Sequence, residues 1–106
     1  MERGGFAEAE KMAQESLEIR RRLFGDQSLE VADSLRDLAI LLGDQGRWNE
    51  SEAKAREVLT IRREQLGQEH PWVASALDDV AWAAGASGKL AEAAALEPLF
   101  RFQPVI

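Results

Sequence analysis

The chain contains no cysteine and only one histidine, His70. Without thiols there is neither a disulfide framework nor a thiolate metal centre, and a lone imidazole does not make a zinc site. No metal and no cofactor is therefore expected, and a reducing, cytoplasmic setting is the expected one. Positive charge is also short. Thirteen Lys and Arg face nineteen Asp and Glu, for a formal charge of -6, which speaks against a general affinity for nucleic acid, whose phosphates need a basic surface. A basic protein or peptide segment is the better complement. No apolar run reaches the length of a bilayer span, and the opening Met1-Glu2-Arg3-Gly4-Gly5-Phe6 lacks the apolar stretch of a secretory signal. A membrane is not among the expected partners. Nowhere do apolar and polar residues alternate cleanly between turn signals, so no strand pattern competes.

What the chain does have is an internal repeat. With 106 residues and 45% hydrophobic content, it has room for one folded domain or a few stacked units. Gly4, Gly46 and Gly88 are each 42 residues apart, with Phe6, Trp48 and Leu90 following in register. The same offset pairs Glu10 with Glu52, Ala13 with Ala55, Leu17 with Leu59, Ile19 with Ile61, Arg20 with Arg62 and Gly25 with Gly67. It goes on to pair Val31 with Val73, Leu35 with Leu77, Asp37 with Asp79 and Gly43 with Gly85. Repetition at this scale marks a solenoid, in which each unit buries its apolar face only against its neighbours.

Within the unit, Val31, Leu35, Leu38, Ala39 and Leu42 recur at the spacing of one helix face, as do Val73, Leu77, Val80, Ala81 and Ala84. Trp48, Ala55, Val58, Leu59 and Leu66 mark a partner helix that starts after Gly46-Arg47 and ends at Gly67. Phe6 to Leu23 repeats that partner helix, and Pro71 suits the first turn of the next helix. The expected order within a single domain spanning 1–106 is a lone second helix over 6–24 and a repeat over 30–66. A divergent repeat over 72–102 follows, making about two and a half units.

The stretch Leu35-x-x-Leu38-Ala39-x-x-Leu42-x-x-x-Gly46-x-Trp48 resembles the first helix and turn of a tetratricopeptide repeat. The 42-residue period, with Leu66-Gly67 ending one helix and His70-Pro71 opening the next, is similar to the kinesin light chain-like subgroup. The resemblance covers nearly the whole chain. It implies an all-α, right-handed superhelix of helix-turn-helix repeats whose first helices line a concave, peptide-binding surface. Two features depart from the pattern. The chain opens on a second helix whose own first helix is absent, as though cut from a longer array, and Leu96-Glu97-Pro98-Leu99-Phe100 resembles the family's Glu-Pro-Leu-Tyr segment displaced by three residues.

No catalytic constellation emerges. Asp78 and Asp79 are sequence neighbours, which point about 100° apart on a helix and cannot share a proton as a catalytic dyad does. Arg20-Arg21-Arg22 and Arg62-Arg63 fall in last helical turns, where positive charge complements the macrodipole and Glu15, Glu18, Glu57 and Glu64 stand near. Their reading is structural, as is that of His70 at a helix start. Trp48, in register with Phe6 and Leu90, reads as core. Trp72 is either an exposed contact or a cover for the preceding helix end. Trp82 lies in a different stripe from the core, with Ser75, Asp78, Asp79 and Ala86, and the matching stripe one unit earlier is Asp33, Arg36, Asp37, Ile40 and Asp44.

These two stripes are the candidate ligand-binding face, on which Trp82 is either a partner anchor or packed on its own neighbours. In the resembled family an Asn often stands at the Asp37 and Asp79 positions and bonds the ligand backbone. An ionised Asp accepts but cannot donate, so N–H groups and Lys or Arg side chains are the favoured ligands here. The expected function is a non-catalytic interaction module for a peptide or protein segment. The alternative is a structural spacer or self-association segment of a larger scaffold or signalling protein, with weak homo-oligomers formed through exposed terminal helices.

Overall fold

The computed structural model describes residues 3–86. They form four α-helices, α1 (Arg3–Phe24), α2 (Leu29–Asp44), α3 (Trp48–Leu66) and α4 (Pro71–Ala86), with no strand among the described residues. Each helix packs on its neighbour in sequence, α1 on α2, α2 on α3 and α3 on α4. The helix expected within the last repeat after 88, and the segment that follows it, lie outside the described residues.

The helix ends follow from glycine and a few polar caps. Gly25, Gly46 and Gly67 take positive φ values of 95°, 80° and 88°, the left-handed backbone that lets a chain leave a right-handed helix and that any Cβ disfavours. The Gly67 N–H donates to the Arg63 carbonyl at 3.0 Å. Ser28 caps α2, its hydroxyl accepting the Val31 N–H at 3.2 Å and donating to the Gly25 carbonyl at 2.8 Å. His70 does the same for α4, its Nδ1 accepting the Trp72 N–H at 3.0 Å just before Pro71. The helix-start reading of His70 thus holds. The expected start of the first helix does not: α1 begins at Arg3, and Gly4 and Gly5 lie inside it. Gly46 makes a turn because it leads out of α2, whereas no described helix leads into Gly4.

The core runs through α2. Val31, Leu35, Leu38 and Leu42 of α2 are buried with Leu17 of α1, Val58, Leu59 and Ile61 of α3, and Val73, Ala76 and Val80 of α4. The α4 pattern expected from the sequence needs correction, because Leu77 and Ala81 are exposed and Ala84 is half-buried, while Val73, Ala76, Val80 and Ala83 make the contact with α3. Helix α2 is sandwiched between two helices and so buries two adjacent faces. Among the described residues α4 packs chiefly on α3 and reaches α2 at the Arg36–Asp79 bond and where Trp82 lies against Gly43.

Arg20 and Arg62, read from the sequence as macrodipole charges, are inter-helix clamps. The Arg20 Nη1 donates to the Glu30 carbonyl at 3.1 Å, and the Arg62 Nη1 donates to the Trp72 carbonyl at 3.1 Å, the same bond one repeat later. Each ties the end of a second helix to the first turn of the helix that follows. Arg62 is buried, lies 3.8 Å from Asp33 and stacks over the Trp72 ring at 5.9 Å, so Trp72 covers the end of α3. At the other end of the unit Arg47 forks onto Glu50 at 2.6 and 3.0 Å and reaches Glu10 of α1 at 2.8 Å. The hydrogen bond from Arg47 holds the exposed Glu50 carboxyl below its ordinary range.

Truncating Arg62 leaves a carbonyl without its donor and removes the stem that packs under Trp72. Arg62→Ala should therefore lower unfolding free energy by about 1–3 kcal/mol in urea titration. Arg62→Lys should recover only part of that loss, since an ammonium lacks the planar fork.

Candidate ligand-binding face

The two candidate stripes lie on the successive first helices of the repeat, α2 and α4, and both have their outward sides free. In α2 the inward positions Leu35, Leu38, Ala39 and Leu42 are spent on the core, which leaves Asp33, Asp37, Ile40 and Asp44 exposed and Arg36 half-buried. In α4 the same division exposes Asp78 and Trp82 and leaves Ser75 and Asp79 half-buried. The face thus carries five carboxylates and one guanidinium.

Arg36 and Asp79 are brought together across the two helices, with Nε donating to Oδ2 at 2.8 Å. That bond, with the fields of Asp79, Asp37 and Asp33, pushes the Arg36 pKa up, against the opposing effect of its partial burial. Asp79 is therefore not the wholly free acceptor that the sequence suggested. One of its oxygens is engaged, although a carboxylate has lone pairs for further donors. Asp33 is drawn to the buried Arg62. Asp37, Asp44 and Asp78 remain exposed, Asp37 within the field of Arg36.

Ile40 and Trp82 are the apolar part of the face, 37% and 49% exposed. They flank a cleft with Arg36 and Asp79 at its rim and Ala39, Ser51, Ala55 and Val58 at its base. Its volume of about 10 Å³ admits roughly one water. A ligand would lie over this cleft rather than enter it.

Trp82 packs on a neighbour of its own chain, its ring meeting Trp48 with centroids 4.8 Å apart and planes at 88°, while half its surface stays open. Such an edge-to-face arrangement is the favoured geometry of aromatic pairs. Trp48, expected in the core, is half-buried beside it. Both indoles close over Gly43, where a Cβ would come within 2.8 Å of Trp48 Cζ3 and 2.9 Å of Trp82 Cη2.

The sequence reading missed this glycine seat and the Arg36–Asp79 bridge. A signal for the bridge was present, namely opposite charges one repeat apart on the same helix face. For Gly43 the recurrence at Gly85 was visible, but its reason, two tryptophans meeting over it, needed the fold.

A larger concavity, about 510 Å³, opens between α1 and α3. Its charges are already engaged, Arg21 standing 3.9 Å from Glu18, 3.6 Å from Asp26 and 4.0 Å from Glu57, and Arg56 pairing with Glu52 at 2.7 Å. It offers no aromatic side chain, so size does not favour it over the α2 and α4 face. Among the described residues no group of three or more His, Asp or Glu side chains is set to hold a metal ion, and no helix is long and apolar enough to cross a membrane.

Gly43→Ala should force the two indoles apart. The expected cost is about 1–3 kcal/mol, as for other overpacked sites, with a shift in tryptophan emission that the equally small exposed change Ala53→Gly does not produce.

Comparison with known proteins agrees with this architecture. No curated protein matches the chain at a significant level. The tetratricopeptide repeat pattern, however, matches residues 1–64 and again 37–97, two overlapping passes that together span nearly all of the sequence. The helix pairs, the glycine turns and this match make the chain a member of the tetratricopeptide repeat family.

Proposed function

We propose that the protein is a non-catalytic interaction module that takes a basic peptide or protein segment on the face formed by α2 and α4. Members of this family generally bind proteins or peptides. The observation that carries the finer reading is the juxtaposition of exposed Ile40 and Trp82 with the carboxylates of Asp33, Asp37, Asp44, Asp78 and Asp79 on one side of the molecule. In this reading Asp37, and the unengaged oxygen of Asp79, accept hydrogen bonds from ligand N–H, Lys or Arg groups. Trp82 supplies a rigid apolar contact that costs little side-chain entropy. Arg36 has two roles. It holds Asp79 in place, and an acidic ligand group would have to compete with Asp79 for it.

The junction from Leu66-Gly67 to His70-Pro71, with α3 ending at Leu66 and α4 beginning at Pro71, supports a kinesin light chain-like repeat subtype. A cytoplasmic scaffold role accords with that subtype. The spacer or self-association alternative draws on a different surface, the outer side of α1.

A library of Lys- and Arg-rich peptides titrated calorimetrically should contain binders whose affinity falls with added salt, because exposed charge pairs are screened over about 10 Å at 0.1 M. Trp82→Ala should weaken the best of them about tenfold or more, the loss expected for an anchor residue. Asp37→Ala should weaken it by a smaller, salt-dependent factor. Binding that is indifferent to salt and to both substitutions would place the ligand elsewhere.

A further inference from the structure

The fold already contains one arginine seated on a tryptophan. The guanidinium of Arg62 lies over the Trp72 ring at 5.9 Å, and its Nη2 stands 3.8 Å from Asp33 Oδ1. Three groups meet there, a flat cation, the π face of an indole and a carboxylate.

Trp82 has two of the three. It is 49% exposed, and Asp78, four residues before it in α4, is exposed on the same side of the helix, since residues at that spacing are neighbours. Trp48 meets the indole at 88°, so that contact takes at most one of the two ring faces. Among the described residues no guanidinium or ammonium lies over the Trp82 ring. Arg36 lines the same cleft, yet its Nε is turned to Asp79 at 2.8 Å. Asp78 takes part in none of the ion pairs among the described residues.

The openness of this position does not depend on where the described helices stop. Ile40 is the counterpart of Trp82 one repeat earlier, in a helix packed against both α1 and α3, and it is still 37% exposed. A helix covering α4 in the way α3 covers α2 therefore leaves the Trp82 position accessible.

We infer that the third group is an arginine of the bound partner, stacked on the free face of Trp82 and forked onto Asp78. This rests on the basic-ligand reading of the α2 and α4 face and deepens it, because it separates arginine from lysine. A guanidinium is planar and weakly hydrated, so it can lie flat on an indole while two of its N–H groups reach one carboxylate. An ammonium is attracted to both groups but holds its water more strongly and has no fork. Asp78 is the seat rather than Asp79, since Arg36 already takes an oxygen of Asp79 and brings a like charge beside it. The indole is also set in advance. Trp48 and the bare Gly43 fix its plane, an added Cβ at Gly43 lying 2.9 Å from Trp82 Cη2, so little freedom is lost when a ligand stacks on it.

Two otherwise identical peptides with Gly and Ser spacers, one carrying arginine and the other lysine at the same places, test this by calorimetric titration into the full chain. The arginine peptide should bind about fivefold tighter. Added salt should weaken both peptides and leave that gap in place. Trp82→Leu, which keeps an apolar contact but removes the π face, should bring the two peptides within about twofold of each other. Asp78→Asn changes only an exposed carboxylate, and it should weaken the arginine peptide about threefold or more and the lysine peptide less. Equal affinities for the unaltered chain overturn the inference and leave the basic-ligand reading standing. If neither peptide binds, that reading falls and the inference with it. An affinity that rises severalfold in Arg101→Ala would show that the chain's own arginine holds the ring, and would overturn the assignment to a partner.

Discussion

Among the described residues each helix buries its apolar side chiefly against the helices next to it in sequence, and that nearest-neighbour burial is the constraint from which the rest follows. Helix α2, with a neighbour on either side, buries Val31, Leu35, Leu38, Ala39 and Leu42 and has only its outward stripe left for solvent. Because the unit recurs, the same outward stripe appears on α4. Two successive first helices therefore present their unspent positions side by side. A small domain that folded around one central core would bury such a stripe from all directions. A stacked array cannot, and the face made by Asp33, Arg36, Asp37 and Ile40 beside Asp79 and Trp82 is a consequence of the stacking.

The repeat also decides which interactions can be shared between units. Arg20 and Arg62 form the same bond to the carbonyl of the following helix, which fixes the angle at which each second helix meets the next first helix. Where the units diverge, local function enters. Arg36 is not repeated, its counterpart at 78 being Asp, and it reaches across to Asp79, the counterpart of its own neighbour Asp37. Ile40 likewise becomes Trp82, whose ring then needs the bare Gly43 to lie against.

Much of this was legible in the sequence. The offset of 42 residues located the helices because apolar spacing and glycine turns repeated in step, Pro71 added a start signal, and α3 begins and ends where those signals put it. The outward stripes were also readable, since they are what remains once the core positions are assigned. What could not be read was whatever depends on which neighbours are present. Leu77 and Ala81 match buried residues in α2 yet are exposed, because pattern reports a helix face and not whether anything covers it. The engagement of Asp79 by Arg36, and the meeting of Trp48 with Trp82, likewise require the distance between helices that are far apart in sequence.

We propose that the face of α2 and α4, left open by nearest-neighbour burial, is the surface that takes a ligand. Amide and indole chemical shifts of the isotope-labelled chain, followed while a Lys- and Arg-rich peptide is added, test it position by position. The account predicts that the largest shifts fall on the Trp82 indole and on the backbone around Asp37, Ile40, Asp78 and Asp79, with α1 little changed. Shifts centred on Arg21, Arg56 and Thr60 would place the ligand in the concavity between α1 and α3 and contradict it.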